Sequence, residues 1–363
     1  MLTINLYDVI DNKYSHKMQK GLKKMARPKT TIDEHGQVRD RRGEWRSGRP
    51  VFLEPLFDWP TTPIKIAKWF FGIPGFLLPW FAVFLVLITV SYFFFTPEMV
   101  QMETFGIGWM FEILVRNVVL MWAFTGAFHL WLYSWRKQGR LKKYNANWMA
   151  KDSPTFLFRD QVKDNIFWAM IGTVIWTAYE CVMWWAYANG WMPYLNPMEY
   201  PIWFCVIMLA IPFWRNFHFY WVHRLIHWKP LYDYVHYLHH KNVNVGPWSG
   251  LSMHPVEHVI YFSCMLIHCI IPSHPLHMML NGFQTALGPA LSHSGFDELV
   301  FGDEKALKND RLMHYLHHRF HNVNFGESNM PLDKWFGSLH DGTAEADEHF
   351  RKIHTERMKA QNS

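Results

Sequence analysis

The sequence predicts an all-α integral membrane protein: about four transmembrane helices, a membrane-dipping helical hairpin, and a cytoplasmic, histidine-rich helical dome. Three observations carry that expectation. Half of the 363 residues are apolar and 18% are aromatic, while only 18% are charged, against roughly 25% for a soluble domain. Four long stretches carry almost no charge. Fifteen of the 22 histidines lie between His223 and His321. Intrinsic disorder is excluded, because such a chain can bury more apolar surface than chain entropy opposes. A disulfide scaffold is excluded too, since all four cysteines (Cys181, Cys205, Cys264, Cys269) sit inside apolar stretches. The mean hydropathy near zero averages very apolar segments with very basic ones.

Residues 1–68 form a basic, polar segment with fourteen Lys/Arg and no sustained apolar period. No apolar core follows the first methionine, so a secretory signal peptide is not expected. Residues 69–200 hold the first three spans. Trp69–Phe95 is uncharged and, at about 1.5 Å per helical residue, can cross a ~30 Å hydrocarbon core. Met110–Tyr133 is the second span, with Arg116 placed where it could snorkel outward. Ile166–Gly190 is the third, with Glu180 its only charge, and Pro201–Val222 is the fourth. Residues 201–340 join that fourth span to the histidine-rich region. Within it, Val259–Ile271 is apolar but only thirteen residues long, Pro272 interrupts, and Pro275–Leu291 is moderately apolar. Neither half spans alone, so the pair reads as a hairpin dipping into one leaflet or lying under the bilayer, its turn buried by protein. Residues 341–363 are a charged tail.

Charge sets the expected orientation. The segment before the first span carries fourteen Lys/Arg and Ser134–Asn165 carries eight, whereas Pro97–Trp109 and Trp191–Tyr200 carry none. Lys/Arg excess marks the cytoplasmic side. Both termini and everything after Val222 are therefore expected in the cytoplasm. The basic balance is explained by topology and anionic headgroups, and no nucleic-acid motif is present.

The histidines form four clusters: His223 with His227; His236, His239 and His240; His314, His317 and His318; and His254 with His258, followed later by His293. Residues three and four apart share one side of a helix, so each set can present imidazoles together. One H-x3-H is compatible with packing at a membrane surface. Two H-x2-H-H triplets plus an H-x3-H on one side of a multispan protein are not. Imidazole suits iron, zinc, copper and nickel, and eight to ten nitrogen donors oversupply one metal but suit two. A zinc hydrolase takes three protein ligands and a nearby carboxylate base. Here Glu257 and Asp233 are the nearest carboxylates, and either could orient a ring. Bis-histidine haem would not call for adjacent H-H pairs.

The ordered set H-R-x-x-H (His223–His227), H-x2-H-H (His236–His240), H-P-V-E (His254–Glu257), H-S-G (His293–Gly295) and H-x2-H-H (His314–His318), followed by Asn322–Gly326 and Asp333–Ser338, resembles the fatty acid hydroxylase/sterol desaturase superfamily. The resemblance covers roughly Ile202–Ser338. It implies a membrane-bound, non-haem di-iron oxygenase that uses dioxygen to hydroxylate or desaturate an apolar lipid. The implied ligands to two iron ions are His223, His227, His236, His239, His240, His258, His293, His314, His317 and His318. His254 ranks below them because Pro255 follows it. Glu257, Asp233 and His321 are expected to support the ligands, and zinc could replace iron in purified protein. Two positions depart from the usual pattern: Asn216 stands where an aspartate is common, and Tyr237 where a lysine often follows. Neither touches the implied ligand set.

Electrons are expected from a partner of ferredoxin or cytochrome type with its reductase. The chain has no dinucleotide-binding fingerprint and no cysteine set for an iron–sulfur cluster. The competing readings are a membrane zinc hydrolase acting on a lipid headgroup and a non-enzymatic metal-handling protein. A transporter would place paired polar groups near the bilayer midplane, whereas these histidines gather beyond the fourth span.

Overall fold

The computed structural model describes residues 30–40, 42–57, 59–302, 305–308 and 311–361. The chain divides into two compact units, Met1–Trp45 and Arg46–Ser363. The described part of the first holds two short antiparallel strands, Thr31–Ile32 and Val38–Arg39. Asp33 organises their turn, accepting from the backbone of His35 and Gln37 and pairing with Arg39 at 2.6 Å. Residues 1–29 of the basic N-terminal segment lie outside the described residues.

In the second unit, four helices are long and apolar enough to cross a membrane: Leu77–Phe94, Ile107–Ser134, Gln161–Ala188 and Pro201–Ile226. The first starts later than its uncharged run suggests. Pro63–Phe71 is a separate helix, which stops at Gly72. Pro74, lacking an N–H, and Gly75 then keep the chain from continuing the ladder until Leu77. The third helix starts at Asp160, whose carboxylate accepts from the N–H groups of Val162 and Lys163, answering two of the donors every helix start leaves free. At 26 residues the fourth helix is about 39 Å long. That exceeds a ~30 Å hydrocarbon core, so its last turns, with His223 and Arg224, project beyond the apolar layer.

Two expectations are corrected. Arg116 does not snorkel. It turns inward, buried, and pairs with Glu180 of the third span, while Asn117 donates to the same carboxylate at 3.0 Å and Thr96 accepts from the guanidinium at 2.8 Å. An unpaired charge would cost far more there than a paired one. The helical hairpin also runs as far as the loop that joins the third and fourth spans. Its arms are Pro255–Phe262 continued by Ser263–Cys269, and Pro275–Leu287. At the turn, Ser273 N donates to Pro193 O at 2.9 Å and Leu195 N donates to Ser273 O at 3.3 Å. Pro193–Leu195 joins the third and fourth spans at the ends opposite His227. Composition hid this depth because the second arm is only moderately apolar. It is not lipid-facing: twelve of its thirteen residues are buried among the spans.

That second arm is the hub of the core. Met278, Met279, Leu280 and Phe283 are buried, and the ring of Phe283 meets Trp176 of the third span edge-on at 5.2 Å. Outward residues such as Val86, Phe93, Phe111, Val119 and Val174 stay exposed, as expected of surfaces that face lipid. Beyond His227 the chain forms a cap: a helical stretch over 229–240, the short helices Pro289–Ser292, Leu312–Phe320 and Leu332–Trp335, and one antiparallel strand pair, Glu298–Phe301 with Lys305–Lys308. Helix Ala344–Gln361 follows.

Candidate metal centre

Four elements supply the site. The fourth span ends in His223 and His227; helical stretch 229–240 carries His236, His239 and His240; His293 follows helix Pro289–Ser292; helix Leu312–Phe320 carries His314, His317 and His318. These nine imidazoles fall into two groups, within each of which ligand-capable atoms lie within 4.8 Å of one another. One holds His223, His227, His236, His240 and His317; the other holds His239, His293, His314 and His318. The triplets are shared reciprocally. From His236–His240 the i, i+4 pair joins the first group and the i+3 ring the second. From His314–His318 the i, i+4 pair joins the second group and the i+3 ring the first. Rings of the two groups stand 5.0 Å apart between centroids at His240 and His318.

In the first group Nε2 of His227, His240 and His317 lie 3.1–3.2 Å from one another. In the second, His293 Nε2 lies 3.0 Å from His314 and His318 and 3.3 Å from His239. A neutral imidazole nitrogen offers one proton or one lone pair, so three mutually touching nitrogens cannot all be satisfied by hydrogen bonds. They can be satisfied by one cation at their focus.

The opposite ring nitrogens fix the tautomers. Nδ1–H donates to a backbone carbonyl in His223 (Phe325 O, 2.6 Å), His317 (Val323 O, 2.6 Å) and His293 (Pro289 O, 3.0 Å). His239 Nδ1 reaches Ser252 O at 3.3 Å, and His236 Nδ1 bonds Glu257 Oε1 at 2.8 Å. With the proton held on Nδ1, the Nε2 lone pair points inward, the arrangement a ligating histidine needs. Burial pushes the imidazoles of His236, His240, His293, His314, His317 and His318 well below the usual histidine range, and takes His239 down to about 4. They are neutral near pH 7, as ligands must be. Among the described residues His236 Nε2, His240 Nδ1 and His318 Nδ1 are buried without hydrogen-bond partners. The donor set therefore fits two metal ions.

Two residues in the expected ligand set stand outside both groups. His258 is fully buried against the third span, where a Cβ on Gly172 would come 2.4 Å from its Cε1. His254 caps the start of helix Pro255–Phe262, its Nδ1 accepting from Val256 N at 3.2 Å. Of the supporting residues, Glu257 Oε1 lies 2.8 Å from His236 Nδ1. His321 stands 4.6 Å from the His240 ring, with Tyr232 Oη 3.0 Å from its Nδ1. Asp233 instead pairs with Lys229 at 3.4 Å. Asn216 is buried and hydrogen-bonds Asn329, away from the imidazoles.

The carbonyls that orient His223 and His317 are functional groups that sequence reasoning missed. They belong to loop 323–326, which Asp333 holds by accepting from Phe325 N (2.8 Å), Gly326 N (2.7 Å) and Ser338 Oγ (2.6 Å). Asn324 adds bonds to Met313 O and His340 O. The Asn322–Gly326 and Asp333–Ser338 motifs were the available signal. In H-S-G, Gly295 adopts φ +79°, and a Cβ there would lie 2.3 Å from Tyr133 Oη. Beside both groups lies a cavity of 20 Å³ lined by Phe219, Val222, Ile226, Met253 and Tyr261, room for about one water-sized molecule by the ~10–15 Å³ each needs.

Residues 207–338 match the family described as fatty acid hydroxylase. Among curated proteins, the chain is 28% identical over 151 residues to a Delta(7)-sterol 5(6)-desaturase of Gibberella zeae (40% of this chain, 45% of that protein). It is 30% identical over 162 residues to the Delta(7)-sterol-C5(6)-desaturase of Nicotiana tabacum (43% and 54%). It is 28% identical over 159 residues to a Delta(7)-sterol 5(6)-desaturase of Aspergillus fumigatus (38% and 49%). The chain thus spans about half the length of the curated relatives it matches. No solved structure gives a significant match.

Proposed function

We propose, from the match of residues 207–338 to the fatty acid hydroxylase family in a chain with four helices able to cross a membrane, that the chain is an oxidoreductase: a di-iron enzyme that desaturates or hydroxylates a sterol-like lipid. The observation that carries this is the pair of convergent imidazole sets, five donors and four, with five of the nine tautomers fixed from behind. A zinc hydrolase would use three ligands and a water at one open site; nine nitrogen donors in two sets suit a metal pair.

Bound there, two iron ions would supply dioxygen activation and the oxidation of an unactivated C–H bond. The chain's own residues do the rest. His223, His227, His236, His240 and His317 would hold one ion, and His239, His293, His314 and His318 the other. Glu257 and the carbonyls of Ser252, Pro289, Val323 and Phe325 hold protons on Nδ1 and so keep each Nε2 available. Phe219, Val222, Ile226, Met253 and Tyr261 exclude bulk water from the space between metals and substrate. The site lies at the Lys/Arg-rich ends of the spans, hence on the cytoplasmic side with both termini. There a ferredoxin- or cytochrome-type donor with its reductase delivers electrons.

The test is reconstitution. Purified protein loaded anaerobically with Fe(II) should bind about two ions per chain and, given dioxygen, a reduced donor and a Delta(7)-sterol, yield a product lighter by two hydrogens or heavier by one oxygen. An iron-loaded protein that leaves sterols, fatty acyl and ether lipids unchanged would overturn the reading.

A further inference from the structure

A second cavity, of 140 Å³, lies between the first span, the fourth span and the C-terminal end of helix Pro275–Leu287. One wall is aromatic, with Phe76, Phe81 and Phe84. The other carries Arg215, Gln284 and Arg311. Glu327 lines both this cavity and the small one beside the histidines, and it accepts from Arg215 at 3.1 Å. The two spaces are therefore neighbours across one carboxylate.

Three atoms on the polar wall are unused. Gln284 Oε1, Arg215 Nε and Arg311 Nε are buried and have no hydrogen-bond partner among the described residues. Gln284 is 6% exposed, too little for solvent to serve it freely, and such groups in native proteins call for an explanation. They are an acceptor and two donors. A group that both donates and accepts answers them, which a hydroxyl does. A carboxylate would satisfy the arginines but set a negative charge against Gln284 Oε1. The formal charges lining the cavity also cancel, Arg215 and Arg311 against Glu54 and Glu327, which favours a neutral occupant.

We propose that this cavity binds the hydroxyl head of a neutral amphiphilic lipid, with the apolar body against Phe76, Phe81 and Phe84, and that this lipid is the substrate of the adjoining centre. The second half of that statement rests on the function proposed above; the first does not. Gln284 accepts a hydrogen bond from the hydroxyl, and Arg215 and Arg311 donate to its oxygen, making Gln284 the residue that selects an alcohol and Arg311 one that holds the oxygen of either head group.

The experiment measures binding of a tritiated Delta(7)-sterol alcohol to the purified, iron-loaded full chain in detergent. Competitors are the unlabelled alcohol and the ketone made by oxidising its hydroxyl, which accepts but cannot donate. Wild type should prefer the alcohol by about tenfold or more, the scale of one buried acceptor left unmet. Gln284→Leu should bring the two within about twofold, and Arg311→Met should weaken both competitors alike, by about tenfold. Arg311→Met carries the test if Gln284→Leu does not fold. Equal affinity of wild type for alcohol and ketone overturns the proposal, as does undiminished binding of both by a folded Arg311→Met. Selective binding of the alcohol without turnover supports the hydroxyl site and overturns the identification of that lipid as substrate.

Discussion

At the scale of single residues, the two metal groups make separable predictions, because the triplets are shared between them. His317→Ala removes a donor from the five-membered group, and His239→Ala removes one from the four-membered group. Each should abolish turnover while leaving membrane insertion intact. Iron analysis should show loss concentrated at one ion per chain rather than both, and the two variants should differ in which spectroscopic iron signal they lose. Activity retained by either variant would remove that residue from the ligand set. The same imidazoles set a pH dependence. Burial holds them below their ordinary 6.5 in the folded chain, with His239 near 4. Between those values an unfolded chain binds protons that the folded chain refuses, so stability falls with falling pH. The metal-free protein should therefore be most stable above pH 6.5, and its thermal midpoint in detergent should drop steadily from there toward pH 4. A midpoint flat across that window would show that the rings take up protons without unfolding.

At the scale of elements, loop 323–326 works as a positioning device. Its carbonyls hold the Nδ1 protons of His223 and His317, and Asp333 holds the loop. Asp333→Ala strips three accepted hydrogen bonds without touching a ligand. It should lower iron affinity about 10–100-fold, the usual effect of removing an outer partner, with a smaller loss at the four-membered group, which the loop does not orient. Competitive chelator titration would read both. How much of this was legible follows from what a motif encodes. H-x2-H-H spacing displays three rings on one side of a helix, so the convergence of nine histidines was readable, as were the four apolar runs. The division of each triplet between two groups depends on how two helices face each other, which spacing does not carry. Backbone carbonyls leave no residue signature at all. His258 misled because it shares its neighbourhood with a ligand-rich motif, yet its ring fills the notch at Gly172. Asp233 misled because closeness in sequence to His236 does not fix where a carboxylate turns, and this one turns to Lys229.

At the scale of the whole molecule, the helical hairpin is the piece that the hydropathy pattern understated. A segment buried on every side by protein need not be as apolar as one facing lipid, so Pro275–Leu287 can carry His277, Asn281, Gln284 and Thr285 and still form the centre of the bundle. What ties that centre to the second and third spans is Arg116. Its guanidinium pairs with Glu180 and lies 5.6 Å from the centroid of the Phe283 ring. Trp184, Asn117 and Thr177 complete the network. Breaking a buried pair leaves an uncompensated charge and costs about 3–5 kcal/mol, whereas replacing both partners with apolar residues of similar volume is often close to neutral. Arg116→Met and Glu180→Leu should therefore each destabilise the folded protein strongly, by about that amount. The double variant should recover most of the loss. Unfolding in mixed micelles by a denaturing detergent measures all four corners of the cycle. Because none of the network's residues bonds any of the nine histidines, a folded double variant should retain the metal content of wild type. Additive losses in the double variant would mean that the pair does not act as a unit, and that the hairpin is held by packing alone.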